Sequence, residues 1–170
     1  DQFMHVMIRR LERSGADIRL NTPATAELVE KETPDVIVAA MGAKPKKPAF
    51  SQEGAAHVMM ALEAIEHPEQ TGETVVIAGG GLVGCELALQ LGQMGKKVTI
   101  ASRKKEVCRD AAFLYREGLL MELEKVGVTI LNEAECIAAR DNAAVLKTAD
   151  GERTILADTV IAATGFAPLD

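Results

Sequence analysis

Val75-Val76-Ile77-Ala78-Gly79-Gly80-Gly81-Leu82-Val83-Gly84 joins a short apolar strand to a glycine turn, and the turn to a helix. A dinucleotide pyrophosphate asks for that sequence of elements. Gly79 permits the tight turn out of the strand, Gly81 lets the backbone approach the pyrophosphate, and Gly84 allows the following helix to pack close against the sheet. The helix beginning near Leu82 points its free N–H groups and positive dipole end at the phosphates, so Leu82 and Val83 join the glycines as backbone donors. A G-x-G-x-x-G by itself is weak. Here Ala88 follows Gly84 on the same helix, Gly95 closes that helix, and Lys97-Val98-Thr99-Ile100-Ala101 supplies the second strand.

The tip of the second strand decides which dinucleotide fits. NAD-type sites place Asp or Glu about 20 residues beyond the glycines to hold the ribose 2′-OH, whereas NADP-type sites use a small residue and a nearby Arg for the 2′-phosphate. This chain has Ser102-Arg103-Lys104-Lys105 after Ala101. Ser102 offers a hydroxyl, Arg103 a planar fork and Lys104 a point charge to a phosphate. NADP(H) is therefore favoured over NAD(H). A solvated cationic loop is the alternative, and Glu106 stands close enough in sequence to blunt the cluster.

Composition narrows the class. The chain has 170 residues, 48% hydrophobic, with a formal net charge of −6. That length supports one or at most two domains with a real core. No apolar run reaches the roughly 18 residues of a membrane span, and the first residues lack the pattern of a signal peptide, so a cytoplasmic protein without a membrane partner is expected. Acidity and a single Tyr argue against nucleic acid. Cys85, Cys108 and Cys136 are odd in number and widely spaced, against a disulfide framework or a metal site. Cys85 falls in the first helical turn, where a dipole lowers a thiol pKa, but no His or second Cys is visible beside it and a packing role is favoured. His5, His57 and His67 have no metal-like spacing.

Periodicity organises the remainder. Residues 2–14 read as an amphipathic helix stopped at Ser14-Gly15, residues 18–20 as a short strand, 25–31 as one or two helical turns, and 35–40 as a buried strand. Lys44-Pro45-Lys46-Lys47-Pro48 reads as an extended crossing segment. Residues 58–66 read as a short helix and 111–126 as an amphipathic one, with Leu114, Leu119 and Leu123 on one face and Gly127 at its end. Residues 128–131 form a third parallel strand. Residues 134–140, 143–148 and 153–156, separated by turn signals at Asp141-Asn142 and Asp150-Gly151, form a three-stranded antiparallel meander that returns the chain to a last parallel strand at 158–163. The expected fold is α/β, a Rossmann-like parallel sheet flanked by helices with that meander.

The order of glycine motif, helix, strand, helix, strand, meander and then Asp158-Thr159-Val160-Ile161-Ala162-Ala163-Thr164-Gly165-Phe166-Ala167-Pro168 resembles the two-dinucleotide-binding-domain flavoproteins. In that family a domain for NAD(P)H is inserted into a domain for FAD, and each crossing carries an A-T-G-like turn. The return crossing is Ala163-Thr164-Gly165; the first is Ala40-Met41-Gly42, with Met where the family usually has Thr. Essentially the whole chain resembles the C-terminal half of the old-yellow-enzyme relatives 2-enoate reductase and 2,4-dienoyl-CoA reductase. The resemblance rests on LERSGADIRLN (11–21), PDVIVAAMGAKP (34–45) and GGGLVGCELAL (79–89).

The resemblance implies residues 1–50 as a remnant of the FAD-type domain, 51–72 as a connecting segment, 73–163 as the NAD(P)H-binding domain and 164–170 as the return crossing. It implies an NADPH-accepting portion of a flavin oxidoreductase, passing hydride to a flavin held largely by other segments of a parent flavoenzyme, with its FAD domain and N-terminal barrel as partners. The family's two FAD motifs would fall outside these residues, so FAD belongs to the parent and its binding by this piece alone is doubtful, as is complete catalysis. No residue reads as a nucleophile, general base or metal ligand. Glu86 faces the nicotinamide side by resemblance, or is a solvated helix-dipole carboxylate by its position. Gly165 marks a backbone passing close to a cofactor. Two alternatives stay open: a non-catalytic dinucleotide-binding or docking module, and FAD rather than NADP(H) at the glycine site, the latter disfavoured by the cationic strand tip.

Overall fold

The computed structural model describes residues 2–54 and 56–169; Asp1 and Asp170, the outer ends of the expected 1–50 and 164–170 segments, and Ala55 lie outside the described residues. Two units divide after Ala40. The first carries α1 (Gln2–Glu12) and α2 (Ala26–Glu32). The second runs β1 (Ala43–Pro45), β2 (Ser51–Gln52), β3 (Val58–Met60), α3 (Ala61–Glu66), β4 (Thr74–Ala78), α4 (Leu82–Gln93), β5 (Lys97–Ala101), α5 (Phe113–Lys125), β6 (Thr129–Leu131), β7 (Glu135–Arg140), β8 (Ala143–Thr148), β9 (Gly151–Leu156), β10 (Thr159–Ala162) and β11 (Phe166–Pro168).

The core of the second unit is a five-stranded parallel sheet in the order β3-β10-β4-β5-β6. Side chains on a strand alternate between faces, so each central strand feeds two separate cores. Val75 and Ile77 of β4, Ile100 of β5 and Ile161 of β10 pack with Leu87, Leu91, Leu119 and Leu123 of α4 and α5. Val76, Ala78, Val160 and Ala162 turn the other way and meet Phe50, Ala139, Ala144 and Leu146. The small alanines on that second face suit close packing against a sheet rather than a helix. Strands buried on both faces read as continuous apolar runs, which is why residues 75–78 and 160–162 show no polar alternation.

The meander is antiparallel as expected, β7 with β8 and β8 with β9, but β2 adds a fourth strand parallel to β7. Two further expectations are corrected. Residues 58–60 are a strand rather than the start of a helix, because they pair in parallel with β10 through Met59 and Ile161. The crossing segment is extended as expected, its Lys44-Pro45 lying in β1, which pairs antiparallel with β11 in a two-stranded ribbon where the proline sits without breaking a larger ladder. Leu114 is 84% exposed; only Leu119 and Leu123 of the expected α5 face are fully committed to the core.

The first unit keeps its helices and loses its strands. Thr25 caps α2 by accepting a hydrogen bond from Leu28 N at 3.3 Å, and Thr33 ends it in the left-handed region. Arg19 pairs with Asp17 and Glu32, at 2.6 and 2.8 Å. Residues 18–20 and 35–40 are irregular, and the latter are exposed rather than buried, Val38 at 82%. A strand exists only with a partner ladder, and the described residues offer these two segments none.

Core burial should therefore differ sharply between two isoleucines. Ile161→Ala, at a fully buried site, is expected to cost about 2–5 kcal/mol of unfolding free energy, whereas Ile37→Ala, at an exposed one, should stay within about 0.5 kcal/mol. Urea titration of the two variants checks this, and comparable losses would contradict the burial described.

Candidate dinucleotide-binding site

The turn after β4 is built by steric exclusion. Gly79 adopts φ +129°, and a Cβ there would lie 2.2 Å from the carbonyl oxygen of Ala163. At Gly84 a Cβ would lie 2.2 Å from the carbonyl oxygen of Gly79, so the first turn of α4 rests directly on the turn. The middle glycine, which the fingerprint leaves free, is also constrained: a Cβ on Gly80 would meet Val107 Cγ1 at 2.5 Å and Ser102 Cβ at 2.8 Å. Gly81 differs from the other three. Its Cβ would find nothing nearer than the Asp110 carboxylate at 3.4 Å. The backbone of Gly81 thus borders space that a ligand can enter.

That space is a cavity of about 420 Å³ at the carboxyl ends of the strands, where the loops after β4 and β10 part. Ligands of open parallel sheets bind at this kind of switch point. Residues 79–81, 101–104, 134–136 and 163–165 line it, together with Lys46 and Lys47. Two short bonds hold the floor: Gly79 N donates to Ala101 O at 2.9 Å, and Ala163 N to Ala78 O at 3.0 Å. The loop between β5 and α5 arches over the glycine turn, with Cys108 N donating to Gly80 O at 2.7 Å and Arg116 Nε donating to Val107 O at 3.1 Å.

Of the residues singled out in the sequence, Gly79, Gly81, Ser102, Arg103, Lys104 and Gly165 line the cavity. Gly84 is buried beneath the turn, and Val83 packs against the helix-side core. The N–H of Leu82 points to the Asp110 carboxylate, at 3.0 and 3.1 Å. Glu86 lies outside the cavity lining and accepts a hydrogen bond from Tyr115 Oη at 2.6 Å, which holds the phenol proton above its ordinary range. Gly165 has φ +94°, and its carbonyl accepts from Lys46 N at 2.9 Å, tying the two crossing segments together.

At the strand tip Ser102 is buried, its Oγ accepting from Lys104 N at 3.2 Å, while the Arg103 side chain is 76% exposed. Glu106 does not blunt the cationic cluster: it faces Arg109 and Arg116. The carboxylate that does reach Arg103 is Glu135, at 3.9 Å, brought in by β7. Sequence inspection missed Lys46, Lys47, Asp110 and Glu135 because each arrives from an element distant in the chain. In all, four cations face two carboxylates around the cavity of a chain that is acidic overall.

One part of the cysteine expectation is corrected, the absence of a second thiol near Cys85. A second thiol, that of Cys108 in the arch, does stand beside Cys85, whose own S–H donates to Gly80 O at 3.9 Å. Burial is the main reason the Cys85 thiol is pushed up to about 12, with the neighbouring Cys108 adding to it. Burial likewise raises Cys108, and pushes Cys136 up to about 11. The helix dipole does not prevail. Among the described residues no cluster of three or more metal-ligating side chains occurs, and no helix is long and apolar enough to cross a membrane.

Comparison with known proteins adds the following. The family model described as pyridine nucleotide-disulphide oxidoreductase matches residues 5–170. Bilirubin reductase of Mediterraneibacter gnavus is 29% identical over 99% of this chain and 26% of its own length. Cinnamate reductase of Clostridium sporogenes is 31% identical over 92% of this chain and 24% of its own. The structure of a 2-naphthoyl-CoA reductase in complex with 2-naphthoyl-CoA superposes with a TM-score of 0.75 at 28% identity, covering 96% of this chain and 24% of the other. The chain thus spans about a quarter of the length of these relatives.

The buried thiols generate a pH test. Cys85 titrates near 9.0 when unfolded and at about 12 when folded, so its contribution to stability is complete below pH 9 and is lost as pH rises toward 12. Wild type should lose more unfolding free energy between pH 7 and pH 10 than Cys85→Ala does. Equal losses in urea titrations at the two pH values would remove this assignment.

Proposed function

Because this chain belongs to the pyridine nucleotide-disulphide oxidoreductase family, we propose that its second unit holds NADPH in the switch-point cavity and presents it to a flavin held largely by other parts of a longer flavoenzyme. The names of its relatives, a cinnamate reductase and a naphthoyl-CoA reductase, favour reduction of conjugated carboxylates or acyl thioesters as the end use. When bound, NADPH supplies a hydride to the flavin, and this chain's contribution is position.

The single observation that carries NADPH over NADH is the tip of β5. A buried serine occupies the place of the NAD-type acid, and Arg103 and Lys104 follow it along the cavity wall. Arg103 is exposed, and among the described residues its ion pair is a 3.9 Å contact to Glu135. Such a surface pair contributes about 0–1 kcal/mol, so a 2′-phosphate is a better partner for the guanidinium than Glu135 is. The glycine turn and the N-terminus of α4 serve the pyrophosphate, which NADPH and NADH share.

At the far end, the fixed positive φ of Gly165 shapes the wall beside the turn, and Glu86 is held by Tyr115 one turn into α4. No nucleophile or general base is required of the cavity, because hydride passes between two carriers. A cytoplasmic location fits this role.

Calorimetric titration with NADPH and NADH in parallel, at low ionic strength, tests the assignment. Arg103→Ala should weaken NADPH by about 10- to 100-fold, the worth of a charged hydrogen-bonded contact, and NADH by less than about 3-fold. Equal weakening of both, or a wild-type preference for NADH, would overturn the phosphate-reading role of the strand tip.

A further inference from the structure

The first N–H of α4, at the edge of this cavity, is already occupied by the chain itself. Asp110 sets both carboxylate oxygens on one donor, the backbone N–H of Leu82, at 3.0 and 3.1 Å. That N–H opens α4 and is one of the few at a helix start without an intrahelical acceptor. It also carries the positive end of the helix dipole, for which a carboxylate and a phosphate oxygen are chemically equivalent partners. Gly81, the one glycine of the turn where a Cβ would meet nothing closer than 3.4 Å, faces the same carboxylate.

We propose that Asp110 is the placeholder of the dinucleotide site and sets its affinity: the carboxylate neutralises the helix start in the free protein and must leave when a pyrophosphate arrives. This rests on the reading that a dinucleotide occupies the cavity. One N–H does not serve two anions, and a carboxylate left beside a pyrophosphate repels it. Asp110 belongs to the arch between β5 and α5, and that arch begins with Ser102, Arg103 and Lys104. Its tether to the turn, Cys108 N to Gly80 O at 2.7 Å, sits two residues from Asp110. Release of the carboxylate is therefore coupled to the segment that reads the adenosine end. Arg109, the neighbouring cation, faces Glu106 rather than Asp110, so the carboxylate is not committed to that partner instead.

Asp110 faces the part of the ligand that NADPH, NADH and ADP-ribose share, which separates its effect from that of Arg103. Asp110→Ala removes charge and acceptor, and Asp110→Asn removes the charge while keeping an acceptor for Leu82 N–H. Both are to be compared with wild type in the full chain, by calorimetric titration with the three ligands and by thermal unfolding without ligand. Both variants are expected to bind all three about 5- to 10-fold more tightly, by a similar factor for each. In the free protein Asp110→Ala should unfold at a lower temperature and Asp110→Asn nearer to wild type. Should the alanine variant fold poorly, the asparagine variant alone decides the matter.

Unchanged affinity for the three ligands would overturn the placeholder role. So would weaker binding, which would make Asp110 part of the ligand's own site. A change confined to the NADPH-to-NADH ratio would overturn it as well, since that ratio belongs to the strand tip. Failure of wild type and both variants to bind any of the three would overturn the occupancy of the cavity and this inference together, whereas binding without tightening overturns this inference alone.

Discussion

A carbonyl oxygen and an absent methyl group govern this molecule. The first turn of α4 approaches the end of β4 so closely that a Cβ at Gly84 would lie 2.2 Å from Gly79 O. Because the helix starts there and nowhere further out, its dipole end and unused N–H groups are delivered to the edge of the sheet. Gly79 is pressed in turn against Ala163, the residue after β10, so the same contact fixes where the two loops diverge. The cavity is the consequence of that divergence. Enlarging any of these glycines would move the helix start, and with it the position of every anion partner.

Around that contact the sheet divides its labour by parity. Odd positions of β4 face the helices and even ones face the antiparallel sheet, and the two cores are chemically unlike. Leucine and isoleucine fill the helix side, where ridges leave larger gaps, and alanine predominates where two sheets meet. The antiparallel sheet therefore lies close enough for β7 to bring Glu135 to Arg103 at the rim of the cavity. Packing thus decides the electrostatics of the site.

The first unit shows the opposite condition. Its helix signals hold, with Thr25 capping α2 and α1 running from Gln2 to Glu12, because a helix satisfies its interior backbone groups within itself. Its strand signals fail at residues 18–20 and 35–40, although Val36-Ile37-Val38 is as apolar as any run in the chain. Strand formation depends on a neighbour in a way that helix formation does not. The same dependence explains why residues 58–60, read as helix, are a strand: β10 stands beside them.

Local order was legible from residues alone wherever one segment determines its own state: the glycine turn, the helix after it, β5 and its cationic tip, the turns of the meander. The α/β class follows from those elements in sequence. What only the tertiary structure decided are the encounters between segments far apart in the chain. Asp110 on Leu82 N–H, Glu135 at Arg103, Cys108 against Cys85 and Lys46-Lys47 at the cavity wall all arise from chain crossings with no local signature. Spacing along a chain reports on backbone conformation within a segment; distance across a sheet is set by packing, and the charges that surround a ligand belong to that second class.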